Sequence, residues 1–326
     1  MRLPVELHIH LEGCLEPRLA ATLARGRPAA ANVDFQALYA FSDFRGFLDA
    51  YRRVVTLLTE PGDFGVLTRS ACARLASIGV RYAEFTFTPL IHVRRGLEHE
   101  AIRDAIVEGF REARETLGLE CRLIYDTVRQ WGPAAALESA GIAANDCRAG
   151  FPVAGFGVGG DELSVPAGEL KEAFDLARRA GLKSYVHAGE AGGPDSVWEA
   201  LEVLRADRIG HGVAAARDPL LMEELARRQV ALDCCPTSNV LTRAVARIEE
   251  HPLPLFMARG MAVTLGSDDP GFFGAWLDRE LEICAALWNW DESSVRALTW
   301  NAVRSCFLTT PERDALAERV GPGGES

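Results

Sequence analysis

The chain has 326 residues, 48% of them hydrophobic, enough for a large core, and α/β barrels use this length as one domain. Its 35 basic side chains are outnumbered by 46 acidic ones, a net charge of -11, with no Lys/Arg block; a phosphate backbone needs clustered cations, so no nucleic-acid partner is expected. No basic-then-apolar leader precedes Val5 and no long uncharged apolar run follows, which predicts neither a signal peptide nor a membrane partner.

The first β-rich run is Val5–His10, in "VELHIHLEG". It places His8 and His10 two positions apart, on one face of a strand. Seven further runs follow: Arg81–Phe87, Cys121–Val128, Phe151–Val158, Lys183–Ala188, Arg208–His211, Val230–Cys234 and Met261–Gly266. Between them apolar residues recur at helical spacing. Ile102, Ala105, Ile106, Phe110, Ala113 and Leu117 make one such face, closed by Gly118. Leu170, Ala173, Phe174 and Ala177 make another, closed by Gly181. A third, with Val197, Ala200, Leu201 and Leu204, has Ser196 and Glu199 spaced as a capping box. Strand alternating with helix implies parallel pairing, and eight repeats fit a closed (β/α)8 TIM barrel. We therefore expect a single α/β barrel domain over residues 1–315, with 316–326 as a loose tail. The connection from Leu11 to Val80 is too long for one crossover helix. It predicts extra helices between strands one and two, either covering the barrel's side or forming a lid over its mouth. The eight cysteines show no Cys-x-x-Cys spacing. They read as small buried apolar residues in a reducing compartment, hence a cytoplasmic protein.

The chemistry-bearing residues gather at strand ends. His187 lies near the end of run five in "KSYVHAGE", His211 ends run six in "DRIGHG", and Asp268 and Asp269 follow run eight in "VTLGSDDP". With His8 and His10, all belong to the C-terminal ends of their strands, where barrel enzymes assemble their sites. Two adjacent aspartates repel unless a cation or donor holds them. A divalent ion held by three imidazoles and one carboxylate supplies that cation; this donor set suits Zn2+ best and acidifies a bound water. Strand four, "FPVAGFGVGG", has no lysine to bridge a second ion, so one metal per chain is expected.

"ELHIHLEG", "GGDE", "HAGE", "RIGHG", "CPTSN" and "SDDP", in this order, resemble the adenosine deaminase family across most of the chain. The resemblance implies a mononuclear zinc (β/α)8 barrel that hydrolyses the 6-amino group of a purine. It implies that His8, His10, His187 and Asp268 hold the zinc. Glu190 would be the acid that protonates purine N1, His211 would orient and deprotonate the water, and Asp269 would contact that water and purine N7. His10, Glu12, Gly160 and Asp269 would lie against the substrate, Gly160 giving its N–H to purine N3.

Two positions depart from well-known adenosine deaminases. Glu12 stands where they carry aspartate at the ribose 5′ end, and Thr86 where arginine is usual. Glutamate at the first position is shared with adenine deaminases. "IYDTVRQWGPAAA" resembles deaminases of 6-amino-6-deoxyfutalosine, an adenosine extended at its 5′ carbon. The expected substrate is thus a small aminopurine nucleoside, adenosine and aminodeoxyfutalosine ranking together and adenine third. AMP is disfavoured for want of a convergent cationic set. His92, His99 and His251 read as surface or loop residues. Cys234 and Cys235 read as packing, Glu84 as a buried structural partner, and Ser238 and Asn239 either as residues that position the loop of His211 or as turn formers.

Overall fold

The computed structural model describes residues 1–25 and 33–320. Eight parallel strands follow one another in chain order: β1 (Val5–His10), β2 (Tyr82–Phe87), β3 (Glu120–Val128), β4 (Val153–Gly159), β5 (Lys183–Ala188), β6 (Arg208–His211), β7 (Ala231–Cys234) and β8 (Val263–Leu265). Each pairs with the next, as eight strand–helix repeats require. Every residue of β2, β6, β7 and β8 is buried, the pattern expected of parallel strands covered on both faces. Closure comes just past β8. Asp268 bridges Ile9, accepting the His10 N–H at 2.8 Å and donating to the His8 carbonyl at 2.8 Å. The seam of the barrel therefore runs through the residues singled out as metal ligands.

Among the described residues, the long connection between β1 and β2 holds four α-helices: α1 (Pro17–Leu23), α2 (Phe35–Leu38), α3 (Phe44–Val55) and α4 (Pro61–Ser77). Asp43 caps α3 by accepting the Gly46 N–H at 2.8 Å. The helix lies at the mouth, where Phe47 packs on Phe272 and Phe273. In contrast α4 packs against a flanking helix and buries Leu67, Ala71 and Leu75. The connection thus does both things open to it, α3 at the mouth and α4 on the side.

The remaining helices are α5 (Pro89–Val93), α6 (His99–Leu117), α7 (Gly132–Arg148), α8 (Lys171–Arg179), α9 (Pro194–Glu202), α10 (Pro219–Arg228), α11 (Pro236–Leu241), α12 (Leu253–Ala258), α13 (Pro270–Phe273), α14 (Leu277–Trp288), α15 (Glu292–Ser305) and α16 (Thr310–Val320). Two expectations change here. Helix α9 starts at Pro194, so Ser196 is inside it and not its cap; its hydroxyl goes to Glu162 and Glu199 accepts the Ala167 N–H at 3.1 Å. Residues 316–320 are the last turn of α16, held by fully buried Leu316, while 321–326 lie outside the described residues.

The barrel floor is ionic. Arg208, fully buried, meets Glu84 Oε2 at 2.7 Å and Asp233 Oδ2 at 2.5 Å, and donates to the Leu7 and Ser305 carbonyls at 3.0 Å each. Its guanidinium lies 4.1 Å from the Phe307 ring centroid and 4.9 Å from that of Tyr185. Glu84 is the structural partner it was read to be. Seven of the eight cysteines are buried and Cys147 is half-buried, all of them unpaired, which fits packing. No helix among the described residues is long and apolar enough to cross a membrane.

Candidate active site

β1 projects His8 and His10 on one face, and β5 brings His187 beside them. Nε2 of His187 lies 3.2 Å from Nε2 of both His8 and His10. Asp268 Oδ1 lies 3.3 Å from Nε2 of both His8 and His10. A zinc ion with ligands at about 2.0–2.1 Å in a tetrahedron separates them by about 3.3 Å, so the spacing fits one ion. The proton positions fit one as well. His8 Nδ1 lies 3.2 Å from the Asp233 carbonyl and His187 Nδ1 lies 3.0 Å from the Val158 carbonyl. A carbonyl only accepts, so both Nδ1 atoms carry the hydrogen and two Nε2 lone pairs face each other. Burial and the adjacent His8 and His10 also hold His187 well below the ordinary histidine range, in its neutral ligand form. The chain therefore carries a candidate mononuclear metal site of three histidines and an aspartate, His8, His10, His187 and Asp268, of the kind zinc occupies.

A second set, His8, His211, Cys235 and Asp268, is also compact. It is the poorer site. Burial lifts the Cys235 thiol well above its usual range, and Nδ1 of His211 is engaged by Asn239.

Asp268 and His211 both sit at positive φ, 58° and 64°, unusual for residues with a side chain and typical of strained functional positions. Ser238 Oγ donates to Asp268 Oδ2 at 2.6 Å. Asp269 is buried beside it, and burial pushes its carboxyl well above the usual range. A Cβ at position 13 would fall 2.0 Å from Asp269 Oδ1, which explains the glycine of "HLEG". Gly160 has φ +92°, and a Cβ there would meet Gln130 Oε1 at 2.5 Å.

Glu190 stands just past β5, its side chain 11% exposed. Its Oε1 accepts the Thr242 hydroxyl at 2.9 Å, and its Oε2 is 3.5 Å from His211 Nε2. Burial, with a smaller contribution from Asp268, lifts its carboxyl to about 8. The loop that carries Glu190 is held by a residue the sequence did not single out. Glu162 accepts the backbone N–H groups of Gly189, Glu190, Ala191 and Gly192 at 2.5, 3.1, 2.7 and 2.7 Å.

The three leftover histidines are not surface residues. His92 is fully buried, stacked on Phe87, with Nε2 3.0 Å from Glu12 Oε1. His251 is 3% exposed and bonded to Asn239. His99 is half-buried, 2.7 Å from Asp146 Oδ2. Their partners lie on other elements, so local sequence carried no sign of them. Glu12 is fully buried; its Oε1 also accepts the Thr88 N–H at 3.3 Å, and its Oε2 has no partner among the described residues.

A cavity of about 340 Å³ opens from the metal-binding group, reached by His10, His187, Glu190, His211, Asp268, Asp269 and Gly160. Its outer wall is α3, with Phe44, Leu48 and Tyr51, facing Val128, Gln130 and Trp131. Arg52, Arg94 and Arg95 also line it, cations that sequence reading did not bring together. Arg95 is committed to the Val55, Thr56 and Leu58 carbonyls at 2.8–2.9 Å, whereas Arg94 stacks 4.3 Å over Trp131.

Comparison with known proteins agrees with this geometry. A family model described as adenosine deaminase matches residues 4–322. The aminodeoxyfutalosine deaminase of Streptomyces avermitilis is 40% identical over 319 residues, covering 97% of this chain and 89% of that protein. An adenine deaminase of Chelativorans is 38% identical over 328 residues, covering 100% of both. The crystal structure of adenine deaminase from Arthrobacter aurescens is similar with a TM-score of 0.90 at 32% identity, covering 98% of each chain.

Proposed function

Since the chain belongs to the adenosine deaminase family, a metal-dependent C–N hydrolase acting on an aminopurine, we propose 6-amino-6-deoxyfutalosine as its substrate and the 6-oxo compound plus ammonia as its products. The observation that carries this choice is the cavity wall. Val128, Gln130 and Trp131 belong to the stretch that resembles aminodeoxyfutalosine deaminases, and they line the cavity beyond the metal-binding group. The space extends past what a purine ring needs, which suits a 5′ extension.

His8, His10, His187 and Asp268 would hold a zinc ion, which would supply a Lewis acid that acidifies water and makes it a nucleophile at neutral pH. The protein groups do the rest. Glu190, kept neutral by burial, protonates N1 and makes C6 electrophilic. His211 orients the attacking water. Gly160 offers its N–H to N3, Asp269 meets N7 and His10 lies against the purine, whereas Glu12, expected at the 5′ side, is fully buried and reaches the cavity through Thr88. Glu190 takes a hydrogen from the attacking water and passes it to the amine, which leaves as ammonia, so one water is consumed per turnover.

Adenine is the second reading. The relatives from Chelativorans and Arthrobacter carry that name, and Glu12 is already bonded to His92 and Thr88, as a carboxylate not waiting for ribose would be. This moves the free base ahead of adenosine, reversing the order drawn from sequence. Steady-state kcat/KM of the zinc-loaded chain on aminodeoxyfutalosine, adenine, adenosine and AMP decides. We expect the first to lead. A lead by adenine replaces it with the second reading, and no ammonia from any of the four rejects deamination.

A further inference from the structure

The proton of His211 is set by a chain of hydrogen bonds that begins at a group of fixed polarity. The backbone N–H of Leu253 can only donate, and it lies 3.1 Å from Nδ1 of His251. That nitrogen is therefore the acceptor, and in a neutral imidazole the hydrogen sits on Nε2. Nε2 lies 3.1 Å from Oδ1 of Asn239. The amide orientation follows: with its oxygen taken by His251, its NH2 group faces Nδ1 of His211 at 3.1 Å. Turning the amide round would ask His251 to offer two lone pairs, which a neutral ring does not have.

An amide N–H needs a lone pair opposite it. Nδ1 of His211 is thus bare and its hydrogen sits on Nε2, the nitrogen 3.5 Å from Glu190 Oε2. An imidazolium at His211 would place N–H against N–H and is excluded by the same contact. All three side chains are buried, with exposures of 3% for His251, 0% for Asn239 and 2% for His211. No bulk water competes for these bonds.

We propose that His251 and Asn239 are positioning residues that fix His211 as its Nε2–H tautomer, so that it meets the attacking water as a hydrogen-bond donor and not as its base. Its catalytic meaning rests on the proposed deamination. In that reaction Nε2–H stabilises charge growing on the attacking oxygen. The water O–H bond breaks toward a carboxylate, which gains the hydrogen as a new O–H bond. Glu190 is suited to this once it has given its own proton to N1, since its Oε2 lies 3.5 Å from Nε2 of His211. This role differs from the deprotonation of water that the family resemblance implies for His211.

The test is a long-range ¹H–¹⁵N spectrum of the zinc-loaded full chain labelled at histidine, with His211 identified by the loss of its signals in His211→Asn. We expect hydrogen on Nε2 and none on Nδ1. In Asn239→Asp a carboxylate replaces the amide donor, and the hydrogen is expected to appear on Nδ1, with kcat lowered about 10- to 100-fold and KM little changed. In His251→Phe the amide is free to turn, and both tautomers should appear. A wild-type His211 carrying hydrogen on Nδ1 overturns the proposal, as does an unchanged tautomer in Asn239→Asp. The wild-type spectrum suffices should a variant not fold. The expected tautomer in a protein that deaminates no aminopurine would reject the proposed function and leave this inference intact.

Discussion

Glu190 and His187 separate acid catalysis from metal binding. Replacing Glu190 by Gln removes the transferable proton but leaves the four metal ligands in place. We expect full zinc content and a kcat lower by about 10²–10⁴-fold; elemental analysis and turnover on one sample check both. His187→Ala should lose the metal instead, because it removes one of four donors. The pH profile has a definite sign. Burial lifts the Glu190 carboxyl to about 8, and the protonated form is the active one, so kcat/KM should fall as pH rises through that value. The fall should be absent from the residual activity of Glu190→Gln. These residues were legible in the sequence because each sits at or near a strand end inside a recognisable motif. His92 and His251 were not, because what defines them is a buried partner on a distant element.

At the scale of elements, α11 serves three groups of the site. Ser238 holds Asp268, Asn239 holds His211, and Thr242, capping the helix, holds Glu190. Sequence reading saw Ser238 and Asn239 in "CPTSN" but not Thr242, whose use depends on where the chain leads after the helix. Thr242→Val should lower kcat more than it raises KM, since the hydroxyl touches the acid and not the cavity wall. Behind α11, Glu280 accepts the Thr237 N–H at 3.2 Å, and burial raises its carboxyl from 4.5 to about 7. A pKa raised on folding favours the neutral acid, so its stabilising contribution is complete below 4.5 and lost as pH rises through 7. Urea unfolding at pH 5 and pH 8 should therefore show a loss in the wild type that Glu280→Gln reduces by about 1–3 kcal/mol.

For the molecule as a whole, strand order, the eight repeats and the presence of extra helices between β1 and β2 follow from alternating strand and helix patterns, which are local and periodic. The ionic floor has no such pattern. Arg208, Glu84 and Asp233 come from three strands, and only the closed barrel brings them together. Arg208→Met leaves two buried carboxylates uncompensated, and we expect destabilisation of about 3–5 kcal/mol, read from the urea midpoint. That the metal-binding group sits at the barrel seam ties fold to chemistry, for Asp268 both closes β1 and supplies a ligand atom.

Anomalous diffraction at the zinc edge, from crystals of the metal-loaded chain, addresses that tie without recourse to activity. One peak at about 2.0–2.2 Å from Nε2 of His8, His10 and His187 and from a carboxylate oxygen of Asp268 is the expected result. A peak held instead by His211 and Cys235, or no zinc at the strand ends, would contradict it.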